Sequence, residues 1–310
     1  MITRTLGRTG LKVSRLGIGL AAISQETLED IASVEKVLAA ALDSGINFFD
    51  TAECYHDSEE MVGRTISARR DEFYLATKFG HSLSEDGHDI VGAWSADAIT
   101  ASIDRSLKRL RTDHVDLLQL HTCDLDVLQK GEAIEAAQRA RDAGKTRFIG
   151  YSGDNEPAMW AVESGLFDTL QTSFNLTDQR PRLGLLKAAK RQDMGVIIKR
   201  PIANGAWGSA ANPTANLRWG PDYGDVYWRR GRAMTGMGPI ENAPQDRIAM
   251  SLGFLFGHPE VDTAIVGTRN VSHLKSNIAL VEASVSVPES VTAELYRRWD
   301  LLDDDWVGQG

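Results

Sequence analysis

Apolar runs recur along the chain, each closing on a polar or small residue: RLGIG to Gly19, INFFD to Asp50, FYLATK to Lys78, VDLLQLH to His121, RFIGYS to Ser152, TLQTSFN to Asn175, VIIKR to Arg200 and TAIVG to Gly267. A hydrophobic run that ends on polar chemistry is the pattern of a buried parallel strand leaving the core. Between the runs the period changes to that of a helix. Ile31, Val34, Leu38, Ala41 and Leu42 share one stripe with Gly45 as the stop signal, and Ile99, Ile103, Leu107 and Leu110 share another. Eight strand and helix units with no break in composition predict a single (β/α)8 barrel over residues 1–310, with its active site where the strands end. The opening segment, 1–14, reads as a short hairpin turning at Arg8-Thr9-Gly10 and closing the far end of the barrel. Residues 203–243 break the short-loop rule. They are rich in Gly, Asn and Pro, carry Trp207, Trp219, Tyr223, Tyr227 and Trp228, and are expected to form a long active-site loop after the seventh strand. Residues 285–310 complete the chain as a helix opened by Pro288 and a polar tail.

At 310 residues the chain is long enough to bury a sizeable core. A net charge of -9 argues against broad nucleic-acid binding, which needs clustered Lys and Arg. No apolar stretch is long enough to span a bilayer, and MITRTLGRTG lacks the apolar core of a signal peptide, so no membrane role and a cytoplasmic location are expected. Cys54 and Cys123 are the only cysteines, too few for a disulfide scaffold, and are expected to be reduced.

The candidate chemistry lies at the ends of consecutive strands. Asp50, Tyr55, Lys78 and His121 bring an acid, a phenol, an ammonium and an imidazole toward one mouth, a set able to move a proton onto a carbonyl oxygen because each group tunes the next. One competing motif is present. Gly17-Ile18-Gly19-Leu20-Ala21-Ala22 matches the relaxed dinucleotide fingerprint of a doubly wound sheet. Its partner acid, Asp50, comes later than that motif requires, and a doubly wound sheet gives Tyr55, Lys78 and His121 no role. These glycines are read as the tight end of the first barrel strand.

Asp50-Thr51-Ala52-Glu53-Cys54-Tyr55 with Ser58, Glu59 and Gly63, Lys78 in ATK and His121 in LLQLH resemble the aldo-keto reductase family, and the likeness covers most of the chain. It implies NADP-dependent transfer of a hydride between nicotinamide and a small aldehyde, ketone or sugar carbonyl, without a metal. Tyr55 is then the general acid/base, Lys78 the charge that makes its proton available, Asp50 the support of Lys78, and His121 the group that orients the carbonyl. The resemblance also assigns the cofactor residues. Ser152 and Gln171 would meet the carboxamide, Lys199 or Arg200 the pyrophosphate, and Gly267, Thr268, Arg269 and Asn277 the adenosine end, where Arg269 favours NADP over NAD. Two of the chain's departures from the family fall around the nicotinamide. Gly153 stands where Asn is usual, leaving a carboxamide contact missing or supplied by a neighbour, and Lys199 stands where many relatives stack an aromatic.

His56, Phe79, His81, Trp94 and the aromatics of the long loop are expected to line the substrate pocket, and oxidation of Cys54 or Cys123 to inhibit. Two other classes fit the same residues less well: a Schiff-base lyase using Lys78 or Lys199, and a cofactor-binding regulatory subunit with little turnover. The oligomeric state cannot be read from the sequence.

Overall fold

The eight apolar runs become eight parallel strands: β1 (Leu16–Gly19), β2 (Phe48–Asp50), β3 (Tyr74–Phe79), β4 (Val115–His121), β5 (Thr146–Ser152), β6 (Thr169–Ser173), β7 (Gly195–Lys199) and β8 (Thr263–Val266). They close into a barrel in sequence order, β8 pairing with β1 through Ala264↔Leu16 and Val266↔Ile18. This computed structural model describes residues 1–84, 90–214, 222–303 and 306–308. The strands at β6, β7 and β8 stop one or two residues short of the polar residues that close their runs, so Asn175, Arg200 and Gly267 lie in loops.

Helices surround the barrel: α1 (Ile31–Asp43), α2 (Ser58–Thr65), α3 (Ala96–Leu110), α4 (Leu125–Lys130), α5 (Glu132–Asp142), α6 (Asn155–Ser164), α7 (Leu185–Arg191), α8 (Asp222–Gly236), α9 (Arg247–Phe256), α10 (Val271–Glu282) and α11 (Glu289–Leu302). The stripe on α1 is buried as expected at Val34, Leu38, Ala41 and Leu42 and gains Val37, whereas Ile31 is only half-buried. Leu107 is likewise half-buried on α3.

The alternation of side chains along each strand organises the barrel interior into two layers. Phe48, Ala76, Leu117, Ile197 and Ile265 form an apolar lower layer with Leu6, Leu11 and Val13 of the N-terminal hairpin. That hairpin pairs Thr3–Thr5 with Lys12–Ser14 and turns through Gly10. Arg8 anchors it by donating its backbone N–H to Asp193 O and its guanidinium to Phe167 O (3.0 Å). Two residues further along the same strands, the inward positions become Asp50, Lys78 and Gln119. The polar layer thus rests on a packed apolar floor. Burying the floor side chains contributes about 1.5–3 kcal/mol for each large one, which fixes the register of the layer above.

Residues 203–243 are not one long loop. Their C-terminal half holds α8, which α11 fastens through Arg298, donating to Met234 O (2.8 Å) and Gly238 O (2.7 Å). Gly224, Gly231 and Gly236 weaken its helical signal in the sequence, and tertiary contacts supply what propensity lacks. A second hairpin, His81–Leu83 with Ile90–Gly92, follows β3 at the mouth of the barrel.

Candidate active site

Asp50 is the hub of the polar layer. Its carboxylate, 1 % exposed, accepts from Lys78 Nζ on Oδ1 and from the amides of Gln119 (2.9 Å) and Gln171 (2.8 Å) on Oδ2. Lys78 is equally buried and donates also to Thr51 O at 2.8 Å. A buried ion pair is tolerable only when its remaining capacity is satisfied, and these amides and carbonyl do that. Lys78 Nζ stands 5.0 Å from the centre of the Tyr55 ring, and the Tyr55 and His121 rings meet edge to face at 5.6 Å. The four residues of the sequence reading are therefore together.

His121 is held well below the ordinary imidazole value, by burial first and by the Lys78 charge next, so it is neutral near physiological pH. Its Nδ1 lies 3.5 Å from Cys54 Sγ. Burial pushes the Cys54 thiol up to about 12, so the thiol keeps its hydrogen, and a thiol donating to Nδ1 leaves the imidazole N–H on Nε2. Cys123 is buried and pushed up to about 12 as well, by burial first and Asp124 next. With so little thiolate at either cysteine, the expected sensitivity to oxidation loses its chemical basis.

A cavity of about 700 Å³ opens over this layer. Asp50, Tyr55, His121, Ser152 and Gln171 line it, with Lys199, Arg200, Gly267 and Arg269 further around the rim. Ser152 Oγ donates to Gln171 Oε1 at 3.0 Å, so the two polar residues expected at one end of a cofactor are in contact and coupled to Asp50. Thr268 and Asn277 are buried and do not line the cavity. Thr268 Oγ1 instead accepts the Asn270 N–H at 3.1 Å in the turn that starts α10.

Gly153 has a steric reason. A Cβ there would come within 2.5–2.7 Å of the Tyr151 ring, whose hydroxyl donates to Cys123 O, so the tyrosine fills the space a side chain would need. Both neighbours have partners within the protein. Asn155 is spent on both backbone groups of Gly308. Asp154 accepts from Thr172 Oγ1 and the Ser173 N–H and pairs with Lys199 at 2.9 Å. Burial is the largest influence and opposes its ionisation, yet Lys199, Arg200 and the Ser173 N–H together outweigh burial and hold the carboxyl below its usual range. Lys199, expected at the pyrophosphate, is thus paired with a carboxylate while still facing the cavity, and Lys78 is paired with Asp50.

The substrate-side expectations divide. His81 lines the cavity and stands in ring contact with both His121 and Trp94, at 5.3 Å each. Trp94 lines a smaller neighbouring cavity with Asp124, and Phe79 is buried in the core. His56 lines neither cavity. The loop aromatics also face elsewhere: Trp207 and Tyr227 are buried, Tyr227 donating to Asp178 at 3.1 Å, and Trp228 donates to Ser209 O. Trp219 and the side chain of Tyr223 lie outside the described residues.

Three residues at the mouth, His56, Thr122 and Arg200, adopt left-handed backbone (φ 44°, 42° and 55°), and each directly follows Tyr55, His121 or Lys199. A non-glycine residue there costs roughly 1–2 kcal/mol, a cost that concentrates at sites where direction matters more than stability. The sequence reading missed Gln119 and these three bends. A polar residue at an inward position of β4, two before His121, was the available signal for Gln119. Among the described residues no group of His, Cys, Asp and Glu could hold a metal, and no helix is long and apolar enough to cross a membrane.

A parallel eight-stranded barrel with an acid, lysine, tyrosine and histidine at its strand ends defines a class, and the chain belongs to it: the model of the aldo/keto reductase family matches residues 15–294. An L-galactose dehydrogenase of Arabidopsis thaliana is 30 % identical over 90 % of this chain and 87 % of its own length. An aldo-keto reductase of Schizosaccharomyces pombe, yakc, whose name specifies NADP(+), is 26 % identical over 92 % of this chain and 88 % of its own. Among solved structures, the holo form of aldo-keto reductase AKR11C1 from Bacillus halodurans shares the fold with a TM-score of 0.79 at 24 % identity, covering 96 % of both chains. The protein is an NAD(P)-dependent oxidoreductase of carbonyl compounds.

Proposed function

We propose that this enzyme reduces the carbonyl of a small aldehyde, ketone or open-chain sugar with NADPH, using Tyr55 as the proton donor. The observation that carries the reading is the buried Asp50–Lys78 pair under the Tyr55 ring, with Nζ 5.0 Å from its centre. The residues around the cavity fit a nicotinamide dinucleotide by the chemistry of their donors: a hydroxyl and an amide at Ser152 and Gln171, two cations at Lys199 and Arg200, and a glycine wall with a guanidinium at Gly267 and Arg269. When bound, the nicotinamide supplies the reducing equivalents. The chain supplies the proton and its control. An ordinary phenol has a pKa of about 10, and the Lys78 ammonium stabilises the phenolate left when Tyr55 Oη gives its proton to the carbonyl oxygen. Asp50 keeps that ammonium in place, and neutral His121 donates its N–H to the same oxygen, orienting the carbonyl.

The preference for NADP rests on Arg269 and on the yakc relative, and the sugar option on the L-galactose dehydrogenase. Reduced Cys54 and Cys123 agree with a cytoplasmic enzyme. The test is NADPH consumption with a panel of aldehydes, ketones and sugars, wild type beside Tyr55→Phe, with NADPH binding followed by fluorescence. The variant should retain binding and lose roughly 10²–10⁴ in rate. Equal rates in the two proteins would remove Tyr55 as the donor, and tight binding without reduction of any carbonyl would favour the regulatory alternative.

A further inference from the structure

Arg269 is not presented to the cavity alone. Its Nη1 pairs with Glu26 Oε1 at 2.6 Å, across 243 residues of sequence. Glu26 closes the short 3₁₀ turn Ile23–Gln25 that follows β1, and Arg269 follows β8, so the pair ties the two loops where the barrel closes on itself. The loops meet closely there: a Cβ on Gly267 would lie 2.9 Å from the Ala22 Cβ and 3.2 Å from Gly19 O. Glu26 is the more sheltered partner, its side chain 21 % exposed against 50 % for Arg269, and among the described residues this is the ion pair each makes.

We propose that Glu26 is a selectivity residue that holds down the enzyme's preference for the phosphorylated dinucleotide. The inference rests on the reading above, in which the cavity takes a nicotinamide dinucleotide with its adenosine end at Arg269. A ribose 2′-phosphate carries close to two negative charges and gains most from a guanidinium that can bind it through two N–H groups. In this protein the phosphate must share Arg269 with a carboxylate already on Nη1, and the carboxylate also repels it. An unphosphorylated ribose meets the opposite situation, because a carboxylate accepts a hydrogen bond from a 2′-hydroxyl. Glu26 therefore penalises one nucleotide and assists the other, and Arg269 does the reverse. The selectivity of the cavity is the balance of the two side chains, and Arg269 alone overstates it.

Calorimetric binding of NADP⁺ and NAD⁺, and of the fragments 2′,5′-ADP and 5′-AMP, to wild type, Glu26→Gln and Arg269→Met tests this without turnover. Glu26→Gln, a change of nearly constant shape at a half-buried position, should tighten NADP⁺ and 2′,5′-ADP by roughly three- to tenfold, as expected for removing a partly exposed like charge. It should leave NAD⁺ and 5′-AMP unchanged or weaker. Arg269→Met should weaken the phosphorylated pair selectively. Glu26→Gln shifting both pairs equally, or neither while Arg269→Met weakens the phosphorylated pair, would overturn the role of Glu26 and leave the functional reading intact. Failure of wild type to bind either dinucleotide would overturn that functional reading, and this assignment with it.

Discussion

Lys78→Met removes a buried charge while keeping most of the side chain's volume, and the structure gives the cost. Asp50, 1 % exposed, would lose its partner on Oδ1 and keep only the Gln119 and Gln171 amides on Oδ2. Removing one member of a buried pair costs about 3–5 kcal/mol because the other charge stays desolvated, and the two amides place this site near about 3 kcal/mol. That is a large part of the 5–15 kcal/mol typical of a folded domain. Adding Asp50→Asn removes the stranded charge. The new amide keeps an acceptor for Gln119 and Gln171 and brings N–H donors toward Thr51 O, which Lys78 has left, so the double variant should recover about 2 kcal/mol. Urea unfolding followed by circular dichroism near neutral pH measures all four corners of the cycle. Reduction activity should be lost in all three variants, so stability and activity part company in the double one. A Lys78→Met protein within 1 kcal/mol of wild type, or a double variant no more stable than the single, would refute the reasoning.

Two further substitutions test groups away from the proton donor. Asp178 is buried, has no partner on Oδ1, and is raised from 3.8 to about 6 by burial first and by Asp154 next. The folded state therefore binds this proton more tightly than the unfolded chain, and the stability it confers is present at low pH and lost as pH rises from about 4 through 6. By linkage the ionised group costs about 3 kcal/mol above that window, so Asp178→Asn should stabilise by up to that amount at pH 8 and by almost nothing at pH 4. Equal effects at both pH values in urea unfolding would contradict it. Gly153→Asn, which restores the residue usual in relatives, should destabilise by about 1–3 kcal/mol by driving a side chain into the Tyr151 ring. An unchanged melting temperature would show that the ring moves aside at no cost.

The fold was legible because two periodicities alternate along the chain with little interruption, and the four polar strand ends mark one mouth. What the sequence hid is of three kinds. The helix Asp222–Gly236 carries three glycines, so local propensity speaks against an element that Arg298 holds from outside and that its own buried Tyr227 anchors to Asp178. Gln119 looked like a polar interruption in an apolar run, because which face of β4 it occupies depends on the barrel's closure. The partners of Lys199 and Arg269 were invisible for a related reason: a residue type announces a charge, but Asp154 and Glu26 come from other strand ends, and their distances are set by the ring of strands. Thr268 and Asn277 sit in a familiar segment, but their burial beside the cavity rather than in its lining depends on how the loop after β8 packs, which residue type does not announce.

The left-handed bends at His56, Thr122 and Arg200 bear on attempts to transplant this chemistry. A designer who copied only Asp50, Tyr55, Lys78 and His121 onto another barrel would carry over the reagents and leave behind the bends that directly follow two of them. Loop libraries restricted to relaxed backbone would discard such bends at the first filter, since each looks like a local fault. A faithful graft would treat each reactive side chain and the bend that follows it as one inseparable part, and would accept a less stable scaffold as the condition of keeping the two together.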